Sequence, residues 1–301
     1  MSWRIVVITD CAKLDYQLDY LVVRKLDQVT RVHLSEIRLL LVESTAVSMT
    51  SRLLCELVKK KIKVIFCDEK HDPLSELTPY YGSHDTSAKL KRQIGWSGET
   101  RQWVWTEIVR EKIRRQALHL KARECGAAAA LLRGYLHEIE DGDRSNREGH
   151  AAKVYFGALF GLDFSRSQEC SVNAALNYGY SLLLSAFNRE IAANGYVTQL
   201  GLFHDNMFNP FNLSCDLMEP FRVLVDRAVY DMELKKFEHE EKMELLAVLN
   251  REVVIDGKRN SVANAVKIYC RSVFDALNEQ DISRLKFYRD ELSIYADHGV
   301  F

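Results

Sequence analysis

Four residues of the 301-residue chain have the types and the setting for metal chemistry: Glu148, His204, Asp216 and Glu219. They lie in three short stretches, Asn146-Arg147-Glu148-Gly149-His150, Gly201-Leu202-Phe203-His204-Asp205-Asn206 and Cys215-Asp216-Leu217-Met218-Glu219-Pro220-Phe221-Arg222. Acids and a histidine from separate segments can converge on one divalent cation. Carboxylate oxygens suit Mg²⁺ or Mn²⁺, and a single imidazole is compatible with Mn²⁺ and tolerated by Mg²⁺. The open positions of such a cation take water and phosphate, as phosphodiester chemistry requires.

Helix capping explains the same residues differently. Ser145-Asn146-Arg147-Glu148 fits a capping box in which the glutamate reaches back to the first amide. Asp216 to Glu219 fits it too, with Asp216 as N-cap and Pro220 tolerated in the first turn. On that reading Asp216→Asn is harmless, since Asn caps as well as Asp. His204 is then an ordinary loop histidine beside an Asp-Asn turn. Spacing leaves both readings open.

The net charge of −1 is unevenly spread. Residues 89–123 hold ten Lys/Arg against three Asp/Glu, a local balance of +7. On a helix Trp103, Arg110, Arg114 and Lys121 fall within about 40° of one another. That stripe suits a phosphate backbone with the indole as a platform, or equally a solvated face with Trp103 turned inward.

The elements that must position these residues divide the chain in two. Before residue 72 the pattern is strand-rich: Arg4–Thr9, an alternating stretch over Lys13–Lys25, Val32–Leu34, Arg38–Val42 and Lys63–Phe66, with one helix at Thr50–Lys60. Two prolines and Tyr-Tyr-Gly-Ser mark 73–87 as a linker. Helical periodicity dominates 88–301, with expected helices at 99–124, 127–140, 147–161, 172–194, 216–236, 238–250, 261–278 and 283–295, and a hairpin at 253–260. The fold class expected is α+β: a small N-terminal β-sandwich-like domain (1–72) followed by a larger all-α domain (88–301).

Composition excludes several classes. Hydrophobic content of 47% with 28% charged residues describes a soluble globular chain. No apolar run approaches the roughly 18 residues of a membrane span. Seven cysteines (Cys11, Cys55, Cys67, Cys125, Cys170, Cys215, Cys270), odd in number and widely spaced, form neither a CxxC knuckle nor a disulfide framework. The expected location is the cytoplasm, because the first residues run into a strand and not into a signal peptide. Phosphate-binding GxxxxGK[ST], dinucleotide GxGxxG, HExxH and GxSxG motifs are absent.

Longer phrases give a resemblance. Glu148 with Tyr155-Phe156, Asn173-Ala-Ala-Leu-Asn-Tyr-Gly-Tyr180, and His204 before Leu213-Ser-Cys-Asp-Leu-Met-Glu-Pro-Phe-Arg222 resemble the CRISPR adaptation integrase family. So do Lys13-Leu-Asp-Tyr16, Val42-Glu-Ser44, Val64-Ile-Phe-Cys-Asp68 and Leu77-Thr-Pro-Tyr-Tyr-Gly82, most like type II members, subtype II-A. The resemblance implies that the β-domain dimerises and that the helical domain holds Mg²⁺ or Mn²⁺ on Glu148, His204 and Glu219, with Asp216 in support. It implies transesterification of DNA 3′-OH ends into a CRISPR repeat. The implied partners are a second copy, the small second adaptation protein in a heterohexamer, duplex DNA with 3′ overhangs, repeat DNA and other type II adaptation proteins. The loop Asp10-Cys11-Ala12-Lys13 lacks the aromatic or imidazole that caps the duplex end in some members. A non-catalytic DNA-binding scaffold and a general metal-dependent nuclease or junction-resolving enzyme are the alternatives.

Overall fold

The alternating stretch from Ala12 to Arg24 folds as a hairpin. Strands β2 (Ala12–Gln17) and β3 (Tyr20–Arg24) pair antiparallel around Leu18 and Asp19. Both turn residues take positive φ, the twist that a two-residue hairpin needs. Residues 4–79 and 83–293 are described in the computed structural model, in two compact units, 1–82 and 83–301.

In the first unit, β1 (Arg4–Ile8), β4 (Val29–His33), β5 (Ile37–Val42), β6 (Val47–Met49), β7 (Lys63–Cys67) and β8 (Pro73–Glu76) complete two four-stranded sheets. Their orders are β4-β3-β2-β6 and β1-β5-β7-β8. The central β5, Ile-Arg-Leu-Leu-Leu-Val, is flanked by parallel β1 and β7 and nearly all buried, hence its unbroken apolar run. Leu14, Leu21, Leu40, Val64 and, from helix α1 (Ser51–Lys59), Leu53 and Leu57 close one core. The sheet extends past the expected boundary. Residues 73–76, expected in the linker, form edge strand β8, where Pro73 is tolerated at the first position. Tyr80, Tyr81 and Gly82 of that expected linker lie outside the described residues.

The second unit is helical apart from one hairpin: α2 (Thr86–Ile94), α3 (Gly98–Ala122), α4 (Gly126–Tyr135), α5 (Arg147–Phe160), α6 (Ser171–Ala193), α7 (Asn212–Met218), α8 (Arg222–Asp231), α9 (His239–Ala247), β9 (Glu252–Ile255), β10 (Lys258–Ser261) and α10 (Val262–Glu279). Two expected helices change. The helix expected from residue 216 begins at Asn212 and breaks at a 3-10 turn, Glu219–Phe221, because Pro220 has no N–H to continue it. Of the helix expected at 283–295 only residues 291–293 are helical; after the short Ile282–Arg284 turn, residues 285–290 are not. Arg289 pairs with Val254 of β9, and buried Tyr288 bonds Pro220 O at 3.2 Å under the Arg115 guanidinium, 3.4 Å from its ring. Residues 294–295 of that expected helix lie outside the described residues. Among the described residues no helix is long and apolar enough to cross a membrane.

Helices α6 and α8 meet at Gly179, where a Cβ would stand 2.4 Å from Val225 Cγ1. That approach holds α8 in place, and with it the turn that bears Glu219. Gly179→Ala should therefore lose about 1–3 kcal/mol despite its better helix propensity. In a denaturation double-mutant cycle, Val225→Ala should absorb most of that loss. A loss independent of Val225 would refute the close contact.

Candidate active site

Helix α3 is the spine of the second unit. Fifteen of its 25 residues are buried, and it packs on α4, α5, α7, α8, α10 and the 219–221 turn. Such a helix has little solvated face to offer. Trp105, Lys112 and His119 recur every seven residues on one inward stripe. The expected stripe of Trp103, Arg110, Arg114 and Lys121 starts two residues earlier, which places it about 200° round the axis. Trp103, Arg110 and Arg114 are half-buried, and Lys121 is exposed. Arg110 pairs with Glu107, and Arg114 holds Glu111 through two bonds of 2.8 and 2.9 Å. The charge of both arginines is thus partly met within the helix.

Glu148 stands in the first turn of α5, one position from where a capping box requires it. Asn146, in left-handed conformation, is the N-cap and accepts from Gly149 N at 3.3 Å. Buried Asp143 accepts from Arg147 N and Glu148 N at 2.8 and 3.0 Å. The helix end is thus satisfied without the Glu148 carboxylate. That carboxylate instead meets the Lys112 ammonium.

Glu219 reaches the same ammonium from the 3-10 turn that Pro220 creates. Its other oxygen takes Arg222 Nε at 2.9 Å, and Arg222 lies over the Tyr180 ring at 4.6 Å. Burial pushes the Glu219 carboxyl up, but Arg222 and Lys112 outweigh it and hold the group below its ordinary value. Burial likewise opposes the Lys112 charge, yet Glu219 and Glu148 keep its value raised. Two carboxylates 71 residues apart in sequence therefore share one buried cation.

Asp216 is no N-cap. It lies inside α7, fully buried, and gathers the preceding loop. Its oxygens accept from Leu202 N at 2.6 Å, Phe203 N at 3.1 Å, His204 N at 3.1 Å and His204 Nδ1 at 2.6 Å. Gly201 permits this wrap, since a Cβ there would stand 2.3 Å from His204 O and 2.7 Å from Asp216 Oδ2. The imidazole, partly exposed, stands edge-on to Trp105, whose indole stacks flat on Phe203 at 4.8 Å. With Nδ1 given to Asp216, Nε2 is the nitrogen left for a ligand.

As placed, no three His, Cys, Asp or Glu side chains among the described residues surround a common metal position. The glutamates close on Lys112 while His204 leans on Asp216. The donors still fit a hard divalent ion: two carboxylates already converge on a cation, and an oriented imidazole lies within electrostatic reach of Glu219. Lys112, Arg222 and Trp105 complete the site although the sequence reading gave them no role. Lys112 had one legible signal, a charge between apolar Ile108, Val109 and Ile113 on a helix face otherwise buried.

The family model for CRISPR associated protein Cas1 matches residues 5–252. A CRISPR-associated endonuclease Cas1 from Neisseria meningitidis is 33% identical over 291 residues, covering 95% of this chain and 96% of its own length. The chain belongs to the Cas1 family. Two solved structures have a similar fold at 17% identity. A casposase bound to integration product gives a TM-score of 0.74 over 93% of this chain and 91% of its own. A Cas6-RT-Cas1–Cas2 complex gives 0.73 over 94% of this chain and 36% of the matched chain. The β-rich unit followed by a helical unit is thus the Cas1 arrangement, as expected from sequence.

Replacing Asp216 tests the loop anchor of this Cas1 chain. Asparagine would turn an amide NH₂ toward N–H groups, so Asp216→Asn should lose about 2–4 kcal/mol in urea unfolding, against the neutral effect expected of a cap. Wild-type stability would restore the capping account. The His204 imidazole is held above its ordinary value by the bond to Asp216, against burial. With a raised folded value, the stabilisation is full below the ordinary value of 6.5 and fades as pH rises through the raised one. The stability gap between wild type and His204→Ala should narrow as pH rises above 6.5 and through the raised folded value. A constant gap would show that Asp216 does not favour the imidazolium.

Proposed function

We propose that this Cas1 chain is a metal-dependent DNA endonuclease and integrase that joins DNA 3′-OH ends to a phosphodiester of a CRISPR repeat. The observation that supports it most is the convergence of Glu148 and Glu219 on one cation beside an imidazole fixed by Asp216. A scaffold that only bound DNA would have no use for a buried acid paired with a half-buried one, which repel each other unless a cation is kept between them.

In this reading Glu148, Glu219 and the Nε2 of His204 hold Mg²⁺ or Mn²⁺, and Asp216 fixes the imidazole tautomer. The ion supplies polarisation of the scissile phosphate and a lowered pKa for the attacking hydroxyl. Arg222 adds positive charge where the phosphate becomes more anionic. A new bond forms between the 3′-oxygen and phosphorus as the original phosphorus–oxygen bond breaks. The hydroxyl proton leaves to solvent and the departing oxygen gains one. Water in place of the 3′-OH gives endonuclease cleavage. The partners we propose are a second copy through the β-rich unit, the small second adaptation protein, and duplex DNA with 3′ overhangs. The names of the Cas1–Cas2 complex and of the casposase with its integration product support that choice.

Strand transfer into a repeat-containing duplex, with the small partner and Mn²⁺, tests the roles. Glu148→Gln, Glu219→Gln and His204→Ala should each lose roughly 10²-fold or more, because a neutral or missing donor loosens a hard cation. Glu148→Gln is the cleanest variant, since Asp143 and Asn146 satisfy the helix end without it. Glu219→Gln should also lower stability, by about 3–5 kcal/mol, because it leaves buried Lys112 and Arg222 short of a carboxylate. Full strand transfer by Glu148→Gln would remove it as an essential ligand.

A further inference from the structure

Lys112 is about 6% exposed, and its ammonium touches the two carboxylates that the proposed metal needs. Burying an ammonium is costly, and an apolar side chain in a packed helix would usually serve stability as well or better. A lysine at this place therefore asks for a reason beyond the fold. The charges supply one. Glu148, Glu219 and Asp216 carry three negative charges against two positive charges on Lys112 and Arg222, which leaves one negative charge beside a neutral imidazole. A divalent ion bound to the glutamate oxygens displaces the ammonium and turns that balance into one surplus positive charge. A phosphodiester, with its single negative charge, offsets it, and the flexible lysine stem lets the freed ammonium turn toward it.

We propose that Lys112 is a resident cation of the active site, exchanged for the divalent ion, so that metal loading is weak until a nucleic-acid phosphate is present. This deepens the metal-dependent reading above and rests on it. Here Lys112 is a positioning residue. It keeps the two glutamates together, away from the ligating arrangement, and couples metal binding to phosphate binding without taking part in bond making.

The test is calorimetric titration of Mn²⁺ into the full chain, wild type against Lys112→Met and Glu148→Gln, with and without a short DNA duplex. Without DNA, Lys112→Met should bind Mn²⁺ at least about ten-fold more tightly than wild type, since a competing charge at contact distance is gone. Its melting temperature should also rise more with Mn²⁺, as tighter binding to the folded form requires. DNA should tighten Mn²⁺ binding in wild type and do so less in Lys112→Met. Equal or weaker Mn²⁺ binding by Lys112→Met, with binding lost in Glu148→Gln, would overturn the exchange and leave the metal reading standing. Absence of Mn²⁺ binding in wild type and Lys112→Met alike, or undiminished binding in Glu148→Gln, would overturn the metal reading itself. If Lys112→Met does not fold, amine labelling of wild type with peptide mass spectrometry decides the point. Labelling of Lys112 should rise several-fold on adding Mn²⁺ without DNA, and unchanged labelling at saturating Mn²⁺ would refute the exchange.

Discussion

Two carboxylates brought together, one buried and one half-buried, must share a cation, and the second unit is arranged around that constraint. Glu148 and Glu219 come from segments with no sequence relation, one at a helix start and one at a helix break. Their mutual repulsion would push the segments apart, or protonate one acid, if nothing positive stood between them. Lys112 and Arg222 prevent both outcomes. Each ion pair alone would do little more than repay its desolvation. Together they fix the relative placement of α3, α5 and the turn before α8, and that placement makes the candidate site.

The second requirement is a rigid support, and it is built from backbone amides. Among the described residues the Asp216 charge is met by three consecutive amide N–H groups and His204 Nδ1. A carboxylate that collects consecutive N–H groups folds a loop around itself, so the chain from Leu202 to His204 follows Asp216. Thr198 O accepts from Leu213 N at 2.8 Å, and Asn212 Nδ2 donates to Gln199 O and Asn206 O, which ties both ends of the loop to α7. Histidine orientation at the site is thus a property of α7, a rigid element, although the histidine itself sits on a loop.

Much of this was legible in sequence, and the misses have physical causes. Period-two and helical patterns located both units and most elements, and chemistry-bearing residue types singled out Glu148, His204, Asp216 and Glu219. The capping readings failed because an N-cap is set by backbone geometry that residue spacing cannot see. Asn146 adopts left-handed conformation and Asp143 reaches in from outside the motif, so both move the cap away from Ser145. The basic segment stayed ambiguous for a related reason. A helix with cations on several faces gives no clue to which face is inward until its neighbours are known. The inward stripe was the one holding Trp105 and Lys112, while Arg110 and Arg114 found partners one turn away. Strand β8 was hidden by Pro73, a residue that ends most strands yet is harmless at the start of an edge strand.

Pro220 joins these threads. It lies in the 3-10 turn, where its missing N–H is tolerated, and the two acids on either side of the end of α7 have separate tasks. Asp216 faces back to the loop that holds His204, and Glu219 faces α3 and its lysine. The tight approach of Val225 to Gly179 then fixes where α8 resumes. The anchoring acid thus sits inside α7 and the acid that takes the cation on the 3-10 turn that follows it, each held by packing of the element that bears it.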